Sequence, residues 1–111
     1  MEITITPHEP TTAIVYLQGR LNLLVAGELR QRLLQEVAEG RSILVIDMSS
    51  VSFIDSSGLG ALIGSLKIAR LAGGDLRLAA INDQAETLLR LTTLNKLLRP
   101  YADVAAALDL G

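Results

Sequence analysis

The sequence predicts a single α/β domain, a mixed and mostly parallel five-stranded sheet with four helices in the order ββαβαβαβα. Three observations predict it. Short β-branched or continuous apolar runs alternate with amphipathic stretches, the pattern of parallel strands joined by crossover helices. Half of the residues are hydrophobic, mostly Leu, Ala, Ile and Val, and only 3% are aromatic, which suits helices packed on a well-buried sheet. Residues 1–111 contain no linker, repeat or low-complexity tract, and one domain of that length buries roughly two-thirds of its unfolded surface without metal or disulfide.

The elements follow in order. Ile-Thr-Ile-Thr at 3–6 reads as a short strand closed by Pro7 and Pro10. The β-branched run 12–19 is a second strand ending at Gly19, and the five residues between the two favour an antiparallel hairpin. The segment Gly19-Arg20-Leu21-Asn22 reads as a loop whose Asn22 can cap the next helix. Over 23–39, Val25, Leu29, Leu33 and Val37 recur every four residues among polar neighbours, predicting an amphipathic helix stopped at Gly40. The continuous apolar run 42–48 reads as a strand buried on both faces. A helix over 57–72 follows, with Leu59, Leu62, Ile63, Leu66 and Ala69 inward and Gly73-Gly74 at its end. Residues 75–81 form the next strand. A helix over 83–97 starts at Asp83 as N-cap and carries Leu88, Leu91 and Leu94 on one face. A brief strand within 97–101 and a last helix over 102–110 finish the chain.

Composition excludes several function classes. With no cysteine there is no disulfide framework, thiol nucleophile or thiolate metal site. A net charge of −2 with scattered Arg and Lys gives no footprint for nucleic acid, and sparse aromatics offer no base-stacking platform. The N-terminus lacks the basic and apolar regions of a signal peptide, and the apolar stretch 59–66 is too short to span a bilayer. The expectation is a cytoplasmic protein without direct membrane insertion.

The stretch FIDSSGLGALIG at 53–64 places an acid, two hydroxyls and three glycines where an apolar run hands over to a helix. Three readings fit it. As a plain helix start, Ser56 is the N-cap and Asp55 adds favourable charge near the positive helix end. That leaves Gly58 and Gly60 unexplained, since each costs up to about 1 kcal/mol relative to Ala in a helix. Both make better sense if something approaches the backbone closely. As a dinucleotide turn, the glycines lie too far beyond the strand predicted to end at Met48, and the acid expected at the end of the following strand is missing. As a switch, a hydroxyl at a helix N-terminus sits where free N–H groups favour an anion, and phosphorylation would add about −1.5 to −2 charge there.

These residues also carry a resemblance. The stretch 46–81, with FIDSSGLG as its most specific part, closely resembles the STAS domain of bacterial anti-sigma-factor antagonists. The likeness extends through 88–108 and, more weakly, back to 15–22. It implies that Ser56, the first hydroxyl after Asp55, is phosphorylated by an anti-sigma factor that is also a serine kinase. It implies that the unphosphorylated form binds that partner, and that a PP2C-type phosphatase restores it. Arg20, Asn22, Asp55, Ser57, Gly58, Leu59 and Gly60 are then the partner-binding residues around Ser56. Where many members read Gly-Glu-Leu-Asp, this chain has Gly19-Arg20-Leu21-Asn22, so the partner-facing charge is altered. A second reading is a non-switching STAS subunit of a membrane lipid-transport complex.

Other polar residues carry less. His8, the only histidine, lies between two prolines in a turn with no partner for a metal site. Asp47 ends the predicted buried strand, where it satisfies loop amides or shapes the Ser56 site. Lys67 and Arg70 follow the helix surface as a solvated face or the rim of a docking surface. No nucleophile–base–orienter set can be assembled, so neither catalysis, a cofactor nor a metal is expected.

Overall fold

The computed structural model of the protein describes residues 1–109. Its strands are β1 (Glu2–Pro7), β2 (Thr12–Leu21), β3 (Ile43–Ile54), β4 (Asp75–Ala79) and β5 (Pro100–Tyr101). Its helices are α1 (Leu23–Ala38), α2 (Ser56–Leu71), α3 (Asp83–Leu91) and α4 (Val104–Leu108), with a 3₁₀ turn at Leu94–Lys96. The sheet order is β1-β2-β3-β4-β5; β1 runs antiparallel to β2, and the other pairs are parallel. This is the predicted five-stranded, four-helix α/β domain.

Strand alternation divides the core. Ala13, Val15 and Leu17 of β2 and Leu44, Ile46 and Met48 of β3 face the side covered by α1 and α2, where Leu29, Leu33, Leu59, Leu62 and Leu66 meet them. Each fully buried aliphatic side chain contributes about 1.5–3 kcal/mol relative to exposure, so this layer carries the fold. Val45 and Ala79 point to the opposite face, where Ala107 of α4 covers them.

Several boundaries differ from the sequence reading. The segment 19–22 is not a loop: β2 continues to Leu21, with Arg20 opposite Phe53 and Leu21 opposite Ile54. Gly19, at φ +116, takes up a register shift there that an L side chain would resist. Likewise β3 runs on to Ile54, because β2 continues to pair with it. Serines at 49, 50 and 52 hide that extension in the sequence, since one face of this part of the sheet is open. Asp47 is therefore mid-strand; its carboxylate accepts from the Ser49 amide at 3.0 Å beside a second register shift, away from Ser56.

Towards the C-terminus β4 stops at Ala79, and Ala80 turns with φ +57. The cap of α3 is Asn82 rather than Asp83, and Ala85 and Leu89 form its buried face while Leu91 lies outside. That helix ends at Leu91 because Thr93 adopts a left-handed conformation. Only Pro100–Tyr101 of the brief last strand pairs. The last helix covers Val104–Leu108, and Leu110, included in the predicted span, lies outside the described residues. Among the described residues no helix is long and apolar enough to cross a membrane.

Candidate functional site

The ends of β2 and β3 lie side by side, and each launches a helix. From β2 the chain passes through Asn22 into α1; Asn22 caps it by accepting from the Leu24 amide at 3.0 Å. From β3 it passes through Asp55 into α2. Ser56 is thus the first helical residue and not the N-cap; the cap is Asp55, in extended conformation, with Oδ1 accepting from the Gly58 amide at 2.8 Å. The second oxygen, Oδ2, accepts from the Leu23 amide of α1 at 3.1 Å. One carboxylate therefore serves the first turns of two helices, and the Asp55 amide returns to the Leu21 carbonyl at 3.2 Å.

Gly58 explains why these ends can lie so close. A Cβ there would stand 2.4 Å from the Leu21 carbonyl oxygen and 2.7 Å from Leu21 Cγ. What approaches the backbone at Gly58 is the chain's own β2. Around Gly60, by contrast, a Cβ would meet nothing within 4 Å, and the residue is exposed. The strand does run nearly to the glycines, contrary to expectation, but the space against Gly58 is taken by the Leu21 carbonyl and side chain, and Asp75 begins the following strand instead of ending it.

The predicted site residues separate into two groups. Gly58 and Leu59 are buried. Ser56, Gly60 and Arg20 are exposed, and Asn22, Asp55 and Ser57 are half-buried beside them. The Arg20 guanidinium lies over the Phe53 ring, 4.6 Å from its centroid, an arrangement worth about 0.5–1 kcal/mol at an exposed position. The Ser56 and Ser57 amides are helix-start donors without intrahelical acceptors, which favour an anion, while the adjacent Asp55 carboxylate opposes one.

Sequence reasoning missed other contributors. Leu23 and Leu24, 72% and 89% exposed, form an apolar edge next to Asp55. Their signal is in the sequence: both precede Val25, where the four-residue apolar repeat of α1 begins. Beyond them Gly27 and Arg30 of α1 and Ser57, Gly60 and Ala61 of α2 line a shallow groove, with the Arg30 guanidinium seated against Gly64. At the back of the site β3 outruns β4, and side chains of α3 take over the ladder. Gln84 both accepts from the Ile54 amide at 3.0 Å and donates to its carbonyl at 2.8 Å. Asn82 donates to the Val51 and Ser52 carbonyls while capping α3. Lys67 is exposed on α2, whereas Arg70 pairs with Asp75 and donates to the Leu97 carbonyl. His8 sits in the exposed hairpin turn. No group of three or more His, Asp or Glu able to hold a metal occurs among the described residues.

Known proteins are similar to this chain in sequence and fold. The chain is 31% identical over 97 residues to the anti-sigma-B factor antagonist of Bacillus subtilis, covering 87% of this chain and 84% of that protein. It is 32% identical over 87 residues to the intermembrane phospholipid transport system binding protein MlaB of Escherichia coli, covering 74% of this chain and 90% of that one. The crystal structure of an anti-sigma factor antagonist from Mycobacterium paratuberculosis superposes with a TM-score of 0.84 at 26% identity, over 96% of this chain and 90% of the other. The family model of the STAS domain matches residues 4–107, nearly everything built above from β1 to α4, and the chain belongs to the STAS domain family.

Proposed function

We propose that this protein is a cytoplasmic anti-sigma-factor antagonist acting by partner switching. In the unphosphorylated state the surface around Ser56 binds an anti-sigma factor that is also a serine kinase. Phosphorylation of Ser56 releases it, and a PP2C-type phosphatase restores binding. The observation that carries the reading is the exposed Ser56 hydroxyl at the mouth of α2, bordered by Arg20, Leu23 and Leu24. Antagonists of anti-sigma factors among the relatives support it. The unmodified surface offers the exposed Leu23–Leu24 edge, which can be desolvated against a partner. A phosphate there is a hydrated dianion, and burying it unpaired costs several kcal/mol. The protein contributes no catalytic group; the modification is done to it.

Incubation with the cognate kinase and ATP is expected to add one phosphate, which peptide mapping assigns to Ser56. Phosphate on Ser57 would refute the assignment, and phosphate on Thr92 or Thr93 would refute the switch. A second reading, a non-switching subunit of a membrane lipid-transport complex, is favoured by the likeness to MlaB and by Arg20 and Asn22 in place of acids. Under that reading the purified protein copurifies with transporter subunits and takes no phosphate. A serine kinase or transporter gene beside its own is the first observation to make.

A further inference from the structure

We infer that Asp55 is a positioning residue that couples the charge state of Ser56 to the exposed Leu23–Leu24 edge of α1. It rests on the reading of Ser56 as the modified residue, and it concerns what that charge does within the chain. The carboxylate is divided between two helices: Oδ1 holds the Gly58 amide of α2 at 2.8 Å, and Oδ2 holds the Leu23 amide of α1 at 3.1 Å. Both of its oxygens are engaged, which makes Asp55 part of the scaffold more than a contact for a partner. The bond to Leu23 is the longer one and crosses between elements, so it yields first. Ser56 follows Asp55 directly, and a negative charge there repels the carboxylate and competes for the free amides of the first α2 turn. The Leu23 amide then loses its acceptor, and the start of α1, carrying the two most exposed leucines near the site, loosens against α2.

Asparagine separates the two halves of the clamp. Its side chain has one acceptor oxygen; with that oxygen on Gly58 as cap, the NH₂ group faces the Leu23 N–H, donor against donor. Amide hydrogen exchange, residue by residue, is measured by NMR on the full chain in four forms: wild type, Ser56→Glu, Asp55→Asn and the double variant. In the wild-type background, Ser56→Glu is expected to speed exchange at Leu23 about fivefold, the effect of losing one ordinary hydrogen bond. Asp55→Asn alone produces the same acceleration at Leu23 with Gly58 still protected, and adding Ser56→Glu to it changes Leu23 no further. A merely structural cap would not make the response of Leu23 to Ser56 depend on residue 55. If Asp55→Asn does not fold, Asp55→Ser replaces it, since its single hydroxyl can cap Gly58 but cannot also reach Leu23. No change at Leu23 on Ser56→Glu, or an equal change with and without the carboxylate, overturns the coupling. Peptide mapping of kinase-treated protein is a separate readout. Intact coupling without phosphate keeps this inference and rejects the switch, whereas phosphate on Ser56 without coupling does the reverse.

Discussion

Two alanine substitutions in one turn of α2 should have opposite effects, Gly58→Ala destabilising and Gly60→Ala stabilising. Replacing a helical glycine by alanine gains up to about 1 kcal/mol when nothing opposes the new methyl group. At Gly60 nothing does, since among the described residues no atom beyond its own helical neighbours lies within 4 Å of the new Cβ. At Gly58 the Cβ would be 2.4 Å from the Leu21 carbonyl oxygen, against 3.4–4 Å for ordinary contact, so the helix or the strand must retreat by about 1 Å. Neither yields cheaply. The Leu21 carbonyl accepts from the Asp55 amide, and the α2 side of the gap is held by the Asp55–Gly58 cap. Overpacking costs typically about 1–3 kcal/mol, and a clash with backbone belongs at the upper end. Subtracting the propensity gain leaves a net loss of about 2 kcal/mol, or about 10 °C in Tm for a domain of this size. Urea titration at 25 °C with thermal melts of the three proteins measures both, and an unchanged m-value confirms that the comparison is between the same states. Equal stabilisation by the two substitutions would refute the close approach of β2 to α2, and with it the explanation of Gly58.

Further expectations follow from other contacts. Ser56→Ala should leave stability within about 0.5 kcal/mol of wild type, because the cap is Asp55, while partner binding persists and its control disappears. Under the proposed function, Ser56→Asp should weaken binding, though less than phosphate does, carrying one charge where phosphate carries nearly two; calorimetry against the proposed anti-sigma-factor partner compares them. Ser65→Ala should stabilise by about 1 kcal/mol in a urea titration, since the Ser65 hydroxyl is fully buried and meets no hydrogen-bond partner among the described residues. Asn82→Ala should cost about 2 kcal/mol or more, because it removes the α3 cap and leaves the Val51 and Ser52 carbonyls without their side-chain donor. The loss should appear as faster amide exchange in α3 before global unfolding.

Periodicity and caps made most of the fold legible. The four-residue repeat from Val25 to Val37, the continuous apolar run ending at Met48 and the stripe from Leu59 to Ala69 each report burial that local sequence records. The alternation of strand and helix then leaves few topologies. Asn22 as cap was readable because a polar residue stands just before a periodic run. Ser56 was singled out by its neighbours, an acid before it and helix-breaking glycines after it, which a plain helix start does not require.

Tertiary structure decided what depends on residues distant in the chain. Whether 19–22 is loop or strand, and whether β3 stops at Met48 or Ile54, is set by each segment pairing with the other, and neither shows an apolar run at its end. Asp55 and Ser56 are equally good caps as residue types; the Leu23 amide, 32 positions away, makes the carboxylate the better one, because only it can serve two helices. Gly58 and Gly60 look alike in sequence, yet one faces the Leu21 carbonyl and the other solvent. Local sequence encodes which groups need burial or capping. Which distant group meets that need is settled only when the strand ends lie side by side.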